Sequence, residues 1–400
     1  MLLNYSVTNY GGFKDTATLS MMPGVEMQRY EDNEVDFGND IKVLKSAVIV
    51  GENGGGKTTL ARSMRTLQDL VSASNKVLKA QYGTVNANLQ HLYPAASQKY
   101  ELEAVIEING ETYIYHFLLE LDGEGIVQEF LFRRKSTSKK STSKKEELIY
   151  STNRKNGIEL NSKYFPDAKK FDKSIQDFPM GTVLSRVGVF GQEVVTPFIE
   201  WMANSLVVKC TEFADLSIYS ALEADEQTLT IIQSKSFAEL FRLADSSIVR
   251  IEIDKKDPYR ATKVIRMDEN GEEYGIPLIA ESTGIREFFC WSEQIWKILY
   301  ENKTVFADEV DRVLNPVLAS RLIAYVNNSK HKGQFIFTTH NALHLNFDDF
   351  RKEQMWIVSK GEEPLTSELY SIADFRGIRY SNKHLYEAYL NGFLGGIEHG

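Results

Sequence analysis

Cysteine is scarce in this chain: two in 400 residues, Cys210 and Cys290, far apart and in no metal or redox pattern. That excludes a disulfide framework, and Cys290, inside an apolar helix-like run, reads as core. The opening MLLNYSVTNY lacks the basic start and long apolar stretch of an export signal, so a reducing cytoplasm is the expected location. Long apolar runs are missing too. No window reaches eighteen apolar residues, and no membrane-spanning helix is expected. Positive charge is not in excess: 46 basic residues stand against 55 acidic ones, a net of −9, which does not advertise nucleic-acid binding but leaves a local basic face open. There is no H-E-x-x-H, no Cys/His cluster and no sustained heptad, and after residue 340 only scattered carboxylates such as Asp348 and Asp349. A hydrophobic content of 42% is ample for a core spread over two or three lobes.

What is present is concentrated between Ser46 and Met64. Ala47-Val48-Ile49-Val50 is a short β-branched run, as a buried parallel strand would be. Gly51-x-x-x-x-Gly56-Lys57-Thr58 follows, and then Leu60, Met64 and Leu67 at helical spacing. Strand, glycine-rich turn and helix in that order form the context of a phosphate-binding loop. Glycines let backbone N–H groups approach phosphates, and the helix tip adds partial positive charge. Gly51, Asn53, Gly54, Gly56, Lys57, Thr58 and Thr59 are the expected ATP contacts, with the Thr58 hydroxyl also reaching Mg²⁺.

Around this loop, Leu3, Tyr5 and Val7 alternate with polar residues, Gly11-Gly12 turns the chain, and Thr16–Met22 returns as a second strand. Tyr10 and Phe13 in that hairpin are candidates either for adenine contact or for core packing. Residues 25–40 read as a polar surface loop. ELEAVIEI, TYIYHFLLEL and IVQEFLF, separated by turn signals, predict an antiparallel meander beside the nucleotide-binding sheet. The twice-repeated KSTSK at 135–144 reads as a solvated hairpin tip or a basic contact. From about 161 to 246 the pattern is mostly helical, with VTPFIEWMANSLVV, DEQTLTIIQ and SFAELFRLA as the clearest helices, and strands return at 248–253 and 262–267. The expected organisation is a first nucleotide-binding lobe at 1–134, a flexible basic loop at 135–147, a mainly helical insertion at 148–247 and a second nucleotide-binding lobe at 248–400. The closing LYEAYLNGFLGGI reads as a terminal packing helix.

Three further stretches carry chemistry. Ser282-Thr283-Gly284 precedes a helix with Ile285, Phe288, Phe289, Ser292, Ile295 and Leu299 on one face, which places it at an anion-binding helix tip, or at an ordinary cap. Thr304–Ala307 is a strand that delivers Asp308 and Glu309 together. Paired with a phosphate loop, Asp308 suits Mg²⁺ and Glu309 suits orienting and deprotonating water. Gln334–Thr339 is another buried strand and ends at His340, placed to sense a γ-phosphate.

This order (phosphate loop, Ser-Thr-Gly helix, Asp-Glu strand, Thr-His strand) resembles the ATP-binding-cassette class, and within it the chromosome-maintenance (SMC) and RecF branch. The resemblance implies an α/β fold: an ABC/SMC-like P-loop NTPase with an antiparallel β subdomain and a helical insertion. It also implies that Ser282 and Gly284 complete the site of an opposite subunit, and that Asp311 is the D-loop aspartate. LLNYSVTNYGGFKDTATLSMM, DEVDRVLNP and the segment from Met355 to Ile397 resemble, more narrowly, stand-alone AAA-type ATP-binding proteins of bacterial abortive infection and phage defence. The family usually has His where this chain has Asn315. No Q-loop glutamine stands out, Gln98 and Gln192 being the candidates. The implied protein is an ATPase, a head-to-tail homodimer or higher assembly that controls a separately encoded effector such as a nuclease or toxin. A RecF-like DNA-binding ATPase, with nucleic acid as partner, is the alternative. A transporter motor fits poorly, because about 225 residues separate the phosphate loop from Ser282.

Overall fold

The computed structural model describes residues 1–25, 27–72, 96–122, 125–136, 146–166, 182–189, 193–210, 225–257, 260–310, 316–380 and 385–395. It opens with the expected hairpin, β1 (Leu2–Thr8) and β2 (Ala17–Ser20). The polar segment 25–40 is more than a loop. It holds a 3-10 turn (Gln28–Asn33) and the first strand of a small hairpin, β3 (Glu34–Asp36) with β4 (Lys42–Leu44). Tyr30 is buried there because its hydroxyl donates to Phe347 O at 2.6 Å. Then come β5 (Ser46–Val50) and α1 (Lys57–Ser72).

The meander comprises β6 (Gln98–Ile108), β7 (Glu111–Asp122), β8 (Gly125–Lys135), β9 (Glu147–Asn153) and β10 (Gly157–Leu160). It does not stand apart from the hairpin. β6 pairs antiparallel with β1, so all seven strands form one sheet in the order β10-β9-β8-β7-β6-β1-β2. Residues 137–145, most of the KSTSK stretch, lie outside the described residues.

After α2 (Val183–Val189) and α3 (Thr196–Glu200), one π-helical turn (Trp201–Ser205) leads into β11 (Leu206–Lys209). Here the structure corrects a sequence expectation: Leu206-Val207-Val208 is not the tail of a helix. It pairs parallel with β15 (Thr304–Ala307), and period alone cannot tell a three-residue apolar run from buried helix. Helices α4 (Glu226–Ile232) and α5 (Lys235–Phe241) pack on the long α6 (Thr283–Glu301). Phe241 stacks on Phe288 with centroids 5.6 Å apart, and Phe237 meets Phe289 edge-on at 5.9 Å. Such ring pairs contribute about 0.5–1.5 kcal/mol each beyond their buried area. Between α5 and α6 in the chain comes a three-stranded sheet, β12 (Ile248–Glu252), β13 (Lys263–Met267) and β14 (Glu273–Pro277), whose third strand the pattern did not suggest.

The chain closes with α7 (Pro316–Asn328), β16 (Gln334–Thr339), β17 (Met355–Lys360), β18 (Ser367–Ser371) and α8 (Leu385–Leu390). Five parallel strands and one antiparallel edge strand form the central sheet, in the order β11-β15-β16-β5-β17-β18. Its inner strands are apolar on both faces because both are covered. Ala47, Ile49, Phe306 and Ile336 join the core with α1 and the seven-stranded sheet, while Val48, Val50, Val305 and Phe337 join the core with α6 and α7. Buried Gln334 ties the two sheets: its amide donates to Leu2 O and Leu44 O, and its carbonyl accepts from Leu2 N. The architecture is a mixed α/β fold, a mostly parallel central sheet packed beside an antiparallel one, with a glycine-rich turn between β5 and α1. No helix among the described residues is long and apolar enough to cross a membrane.

Candidate functional site

Strands of a parallel sheet end on the same side, so the turns after β5, β15 and β16 share one edge. After Val50 the chain turns through Gly51–Gly56 into α1. A Cβ on Gly51 would stand 2.3 Å from Val358 O of β17, so only glycine lets the loop pass that close. Gly56 takes φ +120°, and a Cβ there would meet Ser367 Oγ at 2.9 Å. Ser367 N donates to Gly12 O at 2.7 Å, so β18 and the N-terminal turn brace the loop from behind. Asn53 and Gly54 are exposed, while Thr58 and Thr59 are half-buried. Lys57 is buried: its Nζ donates to Gly51 O (2.7 Å) and Glu52 O (2.9 Å) and lies 3.1 Å from His340 Nδ1.

Asp308, 1% exposed, follows β15. The Thr338 hydroxyl donates to its Oδ1 at 2.6 Å and accepts from the Glu309 N–H at 2.8 Å, so one β16 side chain positions both acids. Glu309 has φ +52°, in the left-handed region that costs a non-glycine residue roughly 1–2 kcal/mol. Such backbone strain persists where the surroundings over-determine it, and it gathers at functional sites. Glu309 Oε1 lies 3.5 Å from His340 Nε2. A lysine ammonium only donates, so His340 Nδ1 accepts from Lys57 and the ring proton sits on Nε2, facing Glu309.

Ser282 caps α6, its Oγ accepting from Ile285 N at 3.4 Å. Ser282, Thr283 and Gly284 are all exposed, and nothing lies within 4 Å of a Cβ placed on Gly284. Behind this tip Glu281 is held by Arg266 of β13, whose Nη2 donates to both carboxylate oxygens at 3.0 Å. Since α1 and α6 pack in different cores on opposite faces of the central sheet, their tips arise from opposite sides of it.

The family described as "AAA domain, putative AbiEii toxin, Type IV TA system" matches residues 46–346, more than half of the chain. The chain belongs to that family. It is therefore an ATPase of the AAA type carrying the abortive-infection toxin-associated domain, and the family implies nucleotide binding. No curated protein matches it. Among solved structures it is similar to the SMC head domain from Thermotoga maritima (17% identity, 92% of this chain and 98% of that one, TM-score 0.44). It is also similar to the Smc head domain with a coiled coil and joint from Pyrococcus yayanosii (10%, 98% and 99%, TM-score 0.46). A third similar structure is an Smc head bound to the C-terminal winged-helix domain of ScpA (12%, 92% and 97%, TM-score 0.45).

The residues of this AAA-domain ATPase fit a triphosphate with Mg²⁺. A turn in which a Cβ at Gly51 would collide, a buried ammonium and a helix tip form a cradle for anionic oxygens, and Thr58 and Asp308 offer the oxygen ligands a hard cation prefers. Of the sequence candidates, the structure brings Lys57, His340 and Glu309 into one chain of contacts with Asp308 beside it. Tyr10 and Phe13 are core residues, 2% and 0% exposed, with the Tyr10 hydroxyl 2.9 Å from Thr66 Oγ1, which removes them as adenine contacts. Gln98 is buried within the seven-stranded sheet, bonded to Asn9 O and Tyr100 Oη. Asp311, Asn315 and Gln192 lie outside the described residues. Sequence reasoning missed Thr338 and Arg266. A hydroxyl two residues before the strand-end histidine was the available signal for Thr338; Arg266 had none.

Proposed function

We propose that this ATPase is a nucleotide-gated clasp that hydrolyses ATP slowly and uses the opening and closing of a homodimer to control a separately encoded effector, a nuclease or other toxin, in the cytoplasm during anti-phage defence. The observation that carries this reading is the convergence of Lys57, Asp308, Glu309 and His340 on one sheet edge while Ser282 and Gly284 stand exposed on a separate helix tip.

Lys57 and the backbone N–H groups of Gly51, Asn53, Gly54, Gly56, Thr58 and Thr59 would hold the triphosphate, and Thr58 with Asp308 would hold Mg²⁺. The ion when bound neutralises charge on phosphate oxygens. Lys57 exchanges its loop carbonyl partners for the ligand. Glu309, fixed through its own N–H on Thr338, orients the attacking water and takes its proton. His340, with its Nε2 proton facing Glu309, keeps that carboxylate in place and links it to Lys57. Asp311 joins this set on resemblance alone.

Ser282 and Gly284 of a second copy would close the site, and an isologous dimer built so has two equal sites. Hydrolysis removes the contact that favours closure, so turnover works as a switch. The family's description, which names a toxin and a toxin–antitoxin system, supports an effector as the output. Gel filtration of Glu309→Gln with Mg-ATP tests the clasp: a trapped dimer is expected, and an unchanged profile sinks it. Co-purification with the products of neighbouring genes tests the output, and finding no bound effector sinks that part.

A further inference from the structure

The outer face of the seven-stranded sheet carries a second polar centre. Glu103 of β6 lies directly opposite His116 of β7 in the strand register, and Glu146 immediately precedes β9. One ligand atom from each of the three lies within 4.8 Å of the other two, and all three side chains are half-buried. Glu101, two residues before Glu103 and so on the same face, has Oε1 2.7 Å from His116 Nε2. Glu146 Oε2 lies 3.3 Å from His116 Nδ1, while its Oε1 is 3.8 Å from Arg134 Nε. Asn4 Nδ2 donates to Glu103 Oε2.

A neutral imidazole has one N–H. The shorter contact, to Glu101, takes it, which leaves the Nδ1 lone pair facing carboxylate oxygens. Lone pair against carboxylate at that distance is repulsive, so either a second ring proton donating to Glu146 or a cation stands between them. Arg134 does not supply enough positive charge. Among the described residues, three carboxylates against one guanidinium leave a charge of −2 around a neutral ring, and still −1 around a charged one. A cation that accepts one imidazole nitrogen and two carboxylate oxygens removes both the repulsion and the excess charge. A carboxylate on the far ring nitrogen is the partner that fixes the tautomer of a metal-bound histidine. One nitrogen and two oxygen donors suit Zn²⁺ or Mn²⁺.

We propose that Glu103, His116 through Nδ1, and Glu146 form a divalent transition-metal site, with Glu101 as the positioning residue for the imidazole. The ligands come from β6, from β7 and from the entry to β9, so a bound ion pins the start of β9 onto the middle of the sheet. The site is independent of nucleotide.

The test is calorimetric titration of EDTA-stripped, nucleotide-free full chain with Zn²⁺ alone and Mn²⁺ alone. One ion per chain is expected to bind at this site, and it should raise the thermal midpoint. His116→Gln and Glu103→Gln should each weaken that binding tenfold or more, and Glu101→Gln should weaken it by a smaller factor. An ion held instead at Asp308 and His340 would be indifferent to Glu103→Gln. Equal affinity and stoichiometry in wild type and both variants, or no saturable binding of either ion, overturns the proposal. Should a variant fail to fold, Co²⁺ titration of the wild type decides: visible absorption that saturates at one ion per chain and is bleached by Zn²⁺ is expected, and its absence overturns the site.

Discussion

Lys57 and His340, 283 residues apart in the chain, meet side chain to side chain, Nζ to Nδ1, at 3.1 Å. The contact joins the phosphate loop to the end of β16, and through Nε2 to Glu309. It makes the ring of His340 the bridge between the residue that would hold phosphate and the one that would activate water.

Replacing His340 with Ala should therefore separate binding from turnover. Lys57 keeps its two carbonyl partners, so ATP affinity is expected to change by no more than a few-fold. Turnover should fall by about 10²-fold or more, the scale of losing a group that positions proton transfer. Steady-state kinetics would show the loss in kcat rather than KM; equal losses in both would contradict the bridge.

Thr338→Val deletes one hydroxyl that serves two acids. Asp308 Oδ1 loses a donor and the Glu309 N–H loses its acceptor, in a nearly water-free position. Valine fills the same volume, so the cost is polar: about 1–3 kcal/mol for each group left buried without a partner. Urea unfolding should report that loss. Nucleotide binding should persist with reduced hydrolysis, because Glu309 is no longer held in its left-handed conformation.

Gly284→Glu is expected to leave the fold intact. Its Cβ would meet nothing, and an acidic residue in the first turn of α6 favours the helix by about 0.3–1 kcal/mol. A single chain should bind ATP as before. The ATP-dependent dimer should disappear, because the carboxylate would face phosphate across the interface. A variant that still dimerises with Mg-ATP removes Gly284 from the clasp.

Glu129 gives a pH dependence distant from the site. It is completely buried on β8, accepts from Tyr150 Oη (2.7 Å) and from Val183 N and Leu184 N (each 2.8 Å), and burial pushes its carboxyl up to about 7 against those donors. An acid raised on folding holds more protons in the native state than in the unfolded one between its two pKa values. Its contribution is thus complete below about pH 4.3 and is lost as pH rises through about 7. The difference amounts to roughly 3 kcal/mol. Unfolding of Glu129→Gln from pH 5 to 8 should show the variant gaining on wild type by about that amount, whatever its offset at pH 5.

The phosphate loop was legible in the sequence because its parts are contiguous: a β-branched run, glycines at fixed spacing and a helical period following at once. The Asp308-Glu309 and His340 strands were legible for the same reason, as short apolar runs ending in polar residues. β11 was not, since Leu206-Val207-Val208 carries no length or period that separates strand from helix, and its pairing with β15 decides the matter. The fate of Tyr10 and Phe13 turned on which side of a hairpin the core lies, which alternation alone leaves open.

By itself, then, the amino-acid sequence determined which groups this protein can bring to a phosphate: a lysine, hydroxyls, two adjacent acids, a histidine and two helix tips, each set by a few neighbouring residues. Only the tertiary structure decided who touches whom. Thr338 serves Asp308 and Glu309, His340 meets Lys57, and Ser282 rises from the opposite face of the sheet to α1. The reason is physical: those contacts follow from strand order in a parallel sheet, which is settled by how whole apolar faces pack, and no local period encodes it.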